Sequence, residues 1–187
     1  MDAFDYLAVL LSIILGLAIQ QVLQGYRALI LSRARVRFYG PPLVWSAFIL
    51  AMVAQHWWAS FGLAGRSEWS FADFAACLLV TALIYMAAAI VLPDVRPQEE
   101  LDLERHYYDE RTAFFGLLLA AVAASVLREV QLEGRLPEPT NLAFHGVFAA
   151  VALVGLATRT GWVHKLLAGA VTVSFVAYVW ALFGRLG

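Results

Sequence analysis

Hydrophobic and polar residues follow one another along this chain in long blocks. Six stretches are almost wholly apolar, and they cover residues 4–24, 43–63, 71–92, 112–132, 141–157 and 162–183. The hydrocarbon core of a bilayer needs about 20 helical residues, and lipid leaves backbone polar groups no partner outside the helix itself. Each stretch therefore predicts a transmembrane helix. The chain is predicted to be all-α: one polytopic domain over residues 1–187, built as a six-transmembrane-helix bundle.

The composition agrees with a membrane protein. Hydrophobic residues make up 62% of the chain and charged residues 14%, against about 45–50% and 25% in soluble domains. Cys77 is the only cysteine, which excludes an intrachain disulfide and any cysteine-based metal or redox centre. Nothing in the charge balance indicates a nucleic acid as partner.

Basic residues are distributed unequally between the two sets of connections. The side of the membrane that carries the first, third and fifth connections has nine Lys and Arg residues, and the other side has four. Since basic residues favour the cytoplasmic side, the chain is predicted to have both termini outside. The first connection, with four arginines between residues 27 and 37, is also expected to attract anionic membrane lipid. The first helix is expected to continue beyond the membrane to about Ser32.

The third connection is acidic and leads into the fourth span as a helix. Five of its side chains fall on one face of that helix, at i+3 and i+4 steps: Glu99, Asp102, His106, Asp109 and Glu110. One interpretation is a solvated face that pairs with the arginines of the first connection. A second is a contact for a larger membrane partner. Carboxylates with an imidazole could also hold a divalent cation, but no second element supplies ligands, so no metal site is predicted.

Most polar residues inside the spans gather at one depth, and Gln20 and Gln21 of the first span are the main exceptions. In the predicted topology six of them lie toward the outer leaflet: Gln55, His56, Asp73, Arg128, Glu129 and His145. Charges within spans are costly and usually face the bundle interior, where they find partners. An ion pair between Asp73 and Arg128 is therefore expected, with His56, Glu129 and His145 beside it.

Three interpretations of this cluster stay open. The first is interfacial: Arg128 and Glu129 reach the headgroups, and Asp73 caps its helix. The second is a wet vestibule that admits an ion, a proton or a small solute, with histidines that suit proton coupling or sensing. The third is haem b held between His56 and His145, which lie at similar depths on antiparallel helices. No other cofactor is expected.

Motifs that would name a reaction are missing from the sequence. There is no catalytic triad order, metalloprotease motif or phosphate-binding glycine loop, which favours a protein that is not an enzyme. Phe4-Asp5-Tyr6, the segment Leu11–Ala18, and the segment Asp102–Tyr108 with Arg111 resemble small, uncharacterised multi-spanning proteins of bacterial inner membranes. That resemblance implies the bacterial inner membrane as location and supplies no activity.

The sequence as a whole predicts a membrane protein that handles or senses an ion, a proton or a small solute through the outer-leaflet cluster. The chain could also act as a homo-oligomer. The main alternative is an accessory protein that binds a larger membrane partner through its acidic segment, and the lesser one is a haem-binding redox protein.

Overall fold

The computed structural model describes residues 3–94 and 100–183, and helices dominate this part of the chain. The helices are α1 (Ala3–Leu31), α2 (Gly40–Ser60), α3 (Phe71–Ile90), α4 (Leu103–Glu133), α5 (Pro139–Ala157) and α6 (Gly161–Phe183). Two short strands, β1 (Val36–Arg37) and β2 (Leu101–Asp102), pair in parallel beside them. Arg33–Arg35 and Phe61–Leu63 form single 3₁₀ turns. The prediction of an all-α fold is confirmed.

The helices begin and end at residues whose chemistry favours those positions. Pro41 and Pro139 lie in the first turns of α2 and α5, where a missing N–H costs no intrahelical hydrogen bond. Asp102 accepts a hydrogen bond from the N–H of Arg105 at the start of α4, and Gly134 ends that helix in the left-handed region with φ of 66°. α1 runs to Leu31, and α4 begins ahead of its apolar stretch, as predicted.

Five helices are long and apolar enough to cross a membrane: α1, α3, α4, α5 and α6. α2 is 21 residues long but is not among these five, because Gln55, His56 and three tryptophans dilute its apolar character. The structure thus supports a membrane protein with five apolar helices, and the predicted sixth crossing is taken up below as a proposal.

The helices pack as a ring of five with one helix outside. α3 packs against α4, α4 against α5, α5 against α6, and α6 against α2, which also contacts α3 and closes the ring. α1 packs on the outer side of α2 and α3. We call the end where α1, α3 and α5 begin the N-terminal end, and the end where α2, α4 and α6 begin the opposite end.

Aromatic rings fill much of the ring's centre. Trp45 is fully buried, and its indole meets the rings of Phe48, Phe114 and Phe115 edge-on, at centroid distances of 5.6, 5.5 and 5.1 Å. Such edge-to-face contacts add stabilisation beyond simple burial. We call Trp45 and these three phenylalanines the aromatic floor, because they lie next to the polar residues that follow on α2.

Candidate functional site

A cavity of about 90 Å³ lies inside the helix ring. Side chains of α2, α3, α4, α5 and α6 line it, and α1 contributes none of the lining residues. Its polar lining consists of Gln55, His56, Ser125, His145 and Tyr178. Much of the rest is apolar or aromatic: Trp45, Phe48, Phe148 and Phe175, with aliphatic side chains between them. Concave sites of this composition are typical of small-molecule binding.

The polar lining is concentrated toward the N-terminal end of the bundle. Gln55 and His56 come in the last turns of α2, His145 comes early in α5, and Tyr178 comes late in α6. Trp45 lies near the start of α2, at the opposite end. The cavity therefore has a polar end and, around Trp45 and Phe48, an aromatic end.

His56 is held by Thr81 of the neighbouring helix. The imidazole Nε2 lies 3.0 Å from the Thr81 hydroxyl, and that hydroxyl donates its proton to the Cys77 carbonyl at 2.9 Å. Since Thr81 has one proton and has already given it, its oxygen accepts from His56. The ring then carries its proton on Nε2, and Nδ1, which has no partner among the described residues, is left as an acceptor.

His145 is fixed through both ring nitrogens. Its Nδ1 lies 2.9 Å from the Asn141 carbonyl, to which it must donate. In the neutral ring Nε2 then accepts from the Ser125 hydroxyl at 3.2 Å. Both histidines are buried, and their tautomers are set by backbone carbonyls, directly for His145 and through Thr81 for His56.

The structure divides the predicted ligand residues into two groups. Gln55, His56 and His145 line the cavity, whereas Asp73, Arg128 and Glu129 are not among the lining residues. The sequence prediction did not include Ser125 or Thr81, because hydroxyl residues in apolar spans usually bond their own helix backbone and give no distinct signal.

Asp73 serves the start of α3. Its carboxylate accepts from the backbone N–H of Ser70, and the Ser70 hydroxyl accepts from the backbone N–H of Asp73, which makes a capping box. Gln131 donates to the same carboxylate at 3.2 Å, and Arg66 lies 3.5 Å away. The expected ion pair with Arg128 is therefore wrong: Arg66, in the connection before α3, takes that place. The interpretation of Asp73 as a helix cap is confirmed.

Glu129 and Arg128 lie at the N-terminal end, beyond the cavity lining. The Glu129 carboxylate accepts from the side-chain amide of Asn141 at 2.9 Å, which joins the end of α4 to the start of α5. Arg128 is half-buried, and its Nε has no hydrogen-bond partner within the described part of the chain. Neither residue touches the pair of cavity histidines through a hydrogen bond.

The acidic segment pairs with the first connection at the opposite end. Arg37 donates to Asp102 at 3.0 Å, beside the parallel bridge between β1 and β2. For Asp102, this agrees with the interpretation that the acidic face pairs with the arginines of the first connection. The Arg105 backbone N–H, joined by Arg37, holds the pKa of the Asp102 carboxyl below its usual value.

The other members of the acidic face separate. His106 donates to the Ile90 carbonyl at 3.0 Å, and Asp109 pairs with Arg105 at 3.6 Å. Glu110 is half-buried, and Glu99 lies outside the described residues. Within 3–94 and 100–183, no group of three His, Cys, Asp or Glu side chains is placed to hold a metal ion.

A buried network at the opposite end was missed from the sequence. Arg111 is 9% exposed, and one of its amino groups donates to the carbonyls of Gly155, Leu156 and Thr158 at 2.9, 2.7 and 2.6 Å. The guanidinium thus caps the C-terminus of α5, where the helix dipole favours a cation.

His164 joins the same network. It is fully buried and bridges Tyr107, at 2.8 Å, to the Thr158 carbonyl, at 2.9 Å. The i, i+4 spacing of Tyr107 and Arg111 was the available signal. Their partner, a helix end more than forty residues along the chain, is not deducible from spacing.

Haem ligation would require the histidine network to rearrange. Both nitrogens of His145 are taken by hydrogen bonds, and the cavity beside it measures about 90 Å³. Haem binding remains a prediction from the sequence.

Comparison with known proteins returned no match: no family model, no curated protein and no solved structure matches this chain.

Proposed function

We propose that the protein is an integral membrane protein that binds a small solute in the cavity enclosed by the five helices α2 to α6. Through this site the protein would transport or sense the solute. The observation that carries the proposal is the division of the cavity into a polar end with two buried histidines and an aromatic end. An apolar pocket with a few converging polar groups is the usual form of a small-molecule site.

The lining favours a neutral solute over a metal cation. Among the described lining residues none is Asp, Glu, Lys or Arg, so an ion entering the cavity would lose its hydration without a counter-charge. A hydroxyl or amide group, by contrast, would find the Nδ1 acceptor of His56 and the hydroxyl of Ser125. The solute that fits best is small, mostly apolar and polar at one end.

A proton is the second candidate cargo, because two imidazole side chains line the cavity and imidazole is the usual proton-exchanging group of proteins. Three aromatic side chains of the cavity lining argue against passage of a proton through the whole bundle. These residues, Trp45, Phe48 and Phe175, offer no chain of exchangeable groups. Proton uptake at the polar end would therefore accompany binding or sensing.

We also propose that all six helices cross the inner membrane of a bacterium, with both termini outside. The excess of basic residues in the first, third and fifth connections supports this orientation. α2 is long enough to cross, and Gln55 and His56, the residues that lower its hydropathy, line the cavity and do not require contact with lipid. The polar end of the cavity would then lie toward the outside.

Cysteine accessibility tests whether solutes enter the cavity. Ser125→Cys places a thiol in the lining, and Ala124→Cys places one at the next position of α4, which is 7% exposed and belongs to the packed core. Methyl methanethiosulfonate, a small neutral thiol reagent, is expected to modify the chain with Ser125→Cys much faster than the chain with Ala124→Cys, because reaction needs access and some thiolate.

A second substitution links the reaction to the cavity itself. Ala152→Leu, which adds volume to the lining from α5, is expected to slow modification of Ser125→Cys, and the melting temperature of the double variant measures how well the fold accepts a larger side chain at this buried position. Equal, slow labelling of Ser125→Cys and Ala124→Cys would show a sealed interior and overturn the proposal. The natural Cys77 is buried and stays in all variants.

The accessory interpretation receives less support from the geometry. Asp102 and His106 are committed to Arg37 and to the end of α3, whereas four other acids of the described segment have exposed carboxylates: Asp94, Glu100, Glu104 and Asp109. Binding of a larger partner through this segment remains a prediction. Replacement of Glu104 and Asp109 by Ala would test it by loss of a co-purifying partner with the cavity unchanged.

A further inference from the structure

The exposed face of α1 carries a polar residue that does not suit the contact with lipid expected from the hydropathy of this helix. α1 packs on the ring with one side only, and the other side carries an exposed stripe at alternating steps of four and three residues: Val9, Ile13, Gly16, Gln20, Leu23 and Arg27. Most of this stripe is suited to lipid, but Gln20 is a polar amide within the apolar stretch of a spanning helix.

Gln20 has no hydrogen-bond partner within the described residues of the chain, whereas its neighbour Gln21 reaches the Tyr85 hydroxyl at 3.5 Å. A polar group left without a partner in hydrocarbon costs several kcal/mol. The structure of one chain therefore leaves Gln20 in an unfavourable state that a further surface would relieve.

The shape of the same face allows another helix to approach. A Cβ atom built at Gly16 would meet nothing within 4 Å, and a shallow groove runs along the helix past Gly16, Gln20 and Arg27. Small residues let helix backbones come close in lipid, and a side-chain amide can then bond across the contact. Steps of four and three residues suit a pair of helices crossing at about 20°.

We propose that this face of α1 binds the same face of a second copy of the chain. The chemistry is self-complementary, because the Gln20 amide both donates and accepts. Two copies related by a two-fold axis would pair Gln20 with Gln20, close to Gly16, and each amide would satisfy the other. Arg27 lies toward the end of the stripe, where its charge reaches the headgroup region. The inference is independent of the cavity, since α1 contributes no lining residue.

Lipid is the competing occupant. A phospholipid could place its headgroup at Arg27 and its chains along Leu23 and Ile19. Acyl chains cannot bond the Gln20 amide, however, and this is why the observations favour a helix.

Disulfide crosslinking in membranes tests the contact in the full-length chain. Gly16→Cys is expected to give a covalent dimer under mild oxidation. Gly169→Cys is the matched control: Gly169 is an exposed glycine on α6 that also has nothing within 4 Å of a built Cβ, and it is expected to remain monomeric. Equal crosslinking at both positions would reveal random collisions and overturn the proposal, as would the absence of crosslinking at Gly16.

A second measurement does not depend on a new thiol. Gln20→Leu makes α1 more apolar and is expected to weaken self-association about three- to tenfold, as measured by single-molecule photobleaching in phospholipid vesicles. Gln21→Leu, on the inner side, is expected to leave the dimer fraction unchanged. Native mass spectra that show a monomer with bound phospholipid, lost in Arg27→Ala, would assign the groove to lipid and overturn the dimer.

Discussion

Arginine and histidine side chains act at the opposite end of the bundle as caps for helix C-termini. His106 caps α3, and Arg111 and His164 cap α5. The final carbonyls of a helix have no intrahelical partners, and near a bilayer they would otherwise need water. At this end, basic side chains contribute to stability through hydrogen bonds with carbonyls more than through ion pairs.

Replacement of Arg111 by methionine should destabilise the fold by about 2–4 kcal/mol, because three carbonyls lose a charged donor at a buried site. The stability of Arg111→Lys should lie between that of the natural chain and that of Arg111→Met, since an ammonium group provides a point charge without the planar guanidinium. Thermal unfolding in detergent measures the difference. Arg105→Met, at a position whose side chain is 81% exposed, is the control and should change stability by less than about 0.5 kcal/mol.

Stability should fall in acid partly through Asp102. Its pKa in the folded chain is lowered from the ordinary value of 3.8, so its contribution to stability is complete above pH 3.8 and is lost as the pH drops through the folded pKa. Asp102→Ala should cost about 1 kcal/mol near neutral pH by removing the α4 cap, and the gap to the natural chain should close in strong acid. A gap independent of pH would contradict this assignment.

At the scale of helices, close approach depends on single glycines. A Cβ atom at Gly155 would lie 2.6 Å from the Phe115 ring, so the absence of a side chain on α5 is what lets that ring lie against it. Phe115 in turn packs against Trp45. The contact between α4 and α5 and the aromatic floor of the cavity therefore share one residue.

Gly155→Ala is expected to lower stability by about 1–3 kcal/mol, because the buried Phe115 ring must move to make room. Gly146 lies on the same helix with nothing within 4 Å of a built Cβ, so Gly146→Ala should be neutral or slightly stabilising. Denaturation of both variants in the same detergent gives the comparison. Equal effects at the two positions would show that helix propensity, and not the contact with Phe115, decides the outcome.

At the scale of the molecule, the length and apolar character of the helices were predictable, because lipid imposes both on any crossing segment. The shared location of Gln55, His56 and His145 also followed from their depth. The partners of the charged side chains could not be predicted. Asp73 pairs with Arg66, and Arg111 donates to the end of α5. Such contacts depend on which segments are neighbours in the fold. Hydropathy predicts which segments form membrane-spanning helices, but it does not predict which helices pack against one another.

The crossing of α2 can be tested by labelling from one side of the membrane. Ala34→Cys and Ser67→Cys put exposed thiols before and after α2. With α2 across the membrane and the termini outside, an impermeant maleimide should label Ser67→Cys in intact spheroplasts and Ala34→Cys only after lysis. Labelling of both from the same side would show that α2 does not cross.

The contact between α2 and α6 has a consequence for how the chain is made. α2 emerges from the ribosome early, but α6, which completes the ring around its histidine, is synthesised after the other five described helices. Until then Gln55 and His56 face an unfinished bundle. A translation product that stops before Gly161 would lack the side of the cavity that Val171, Phe175 and Tyr178 provide, and its polar lining would stay open on that side.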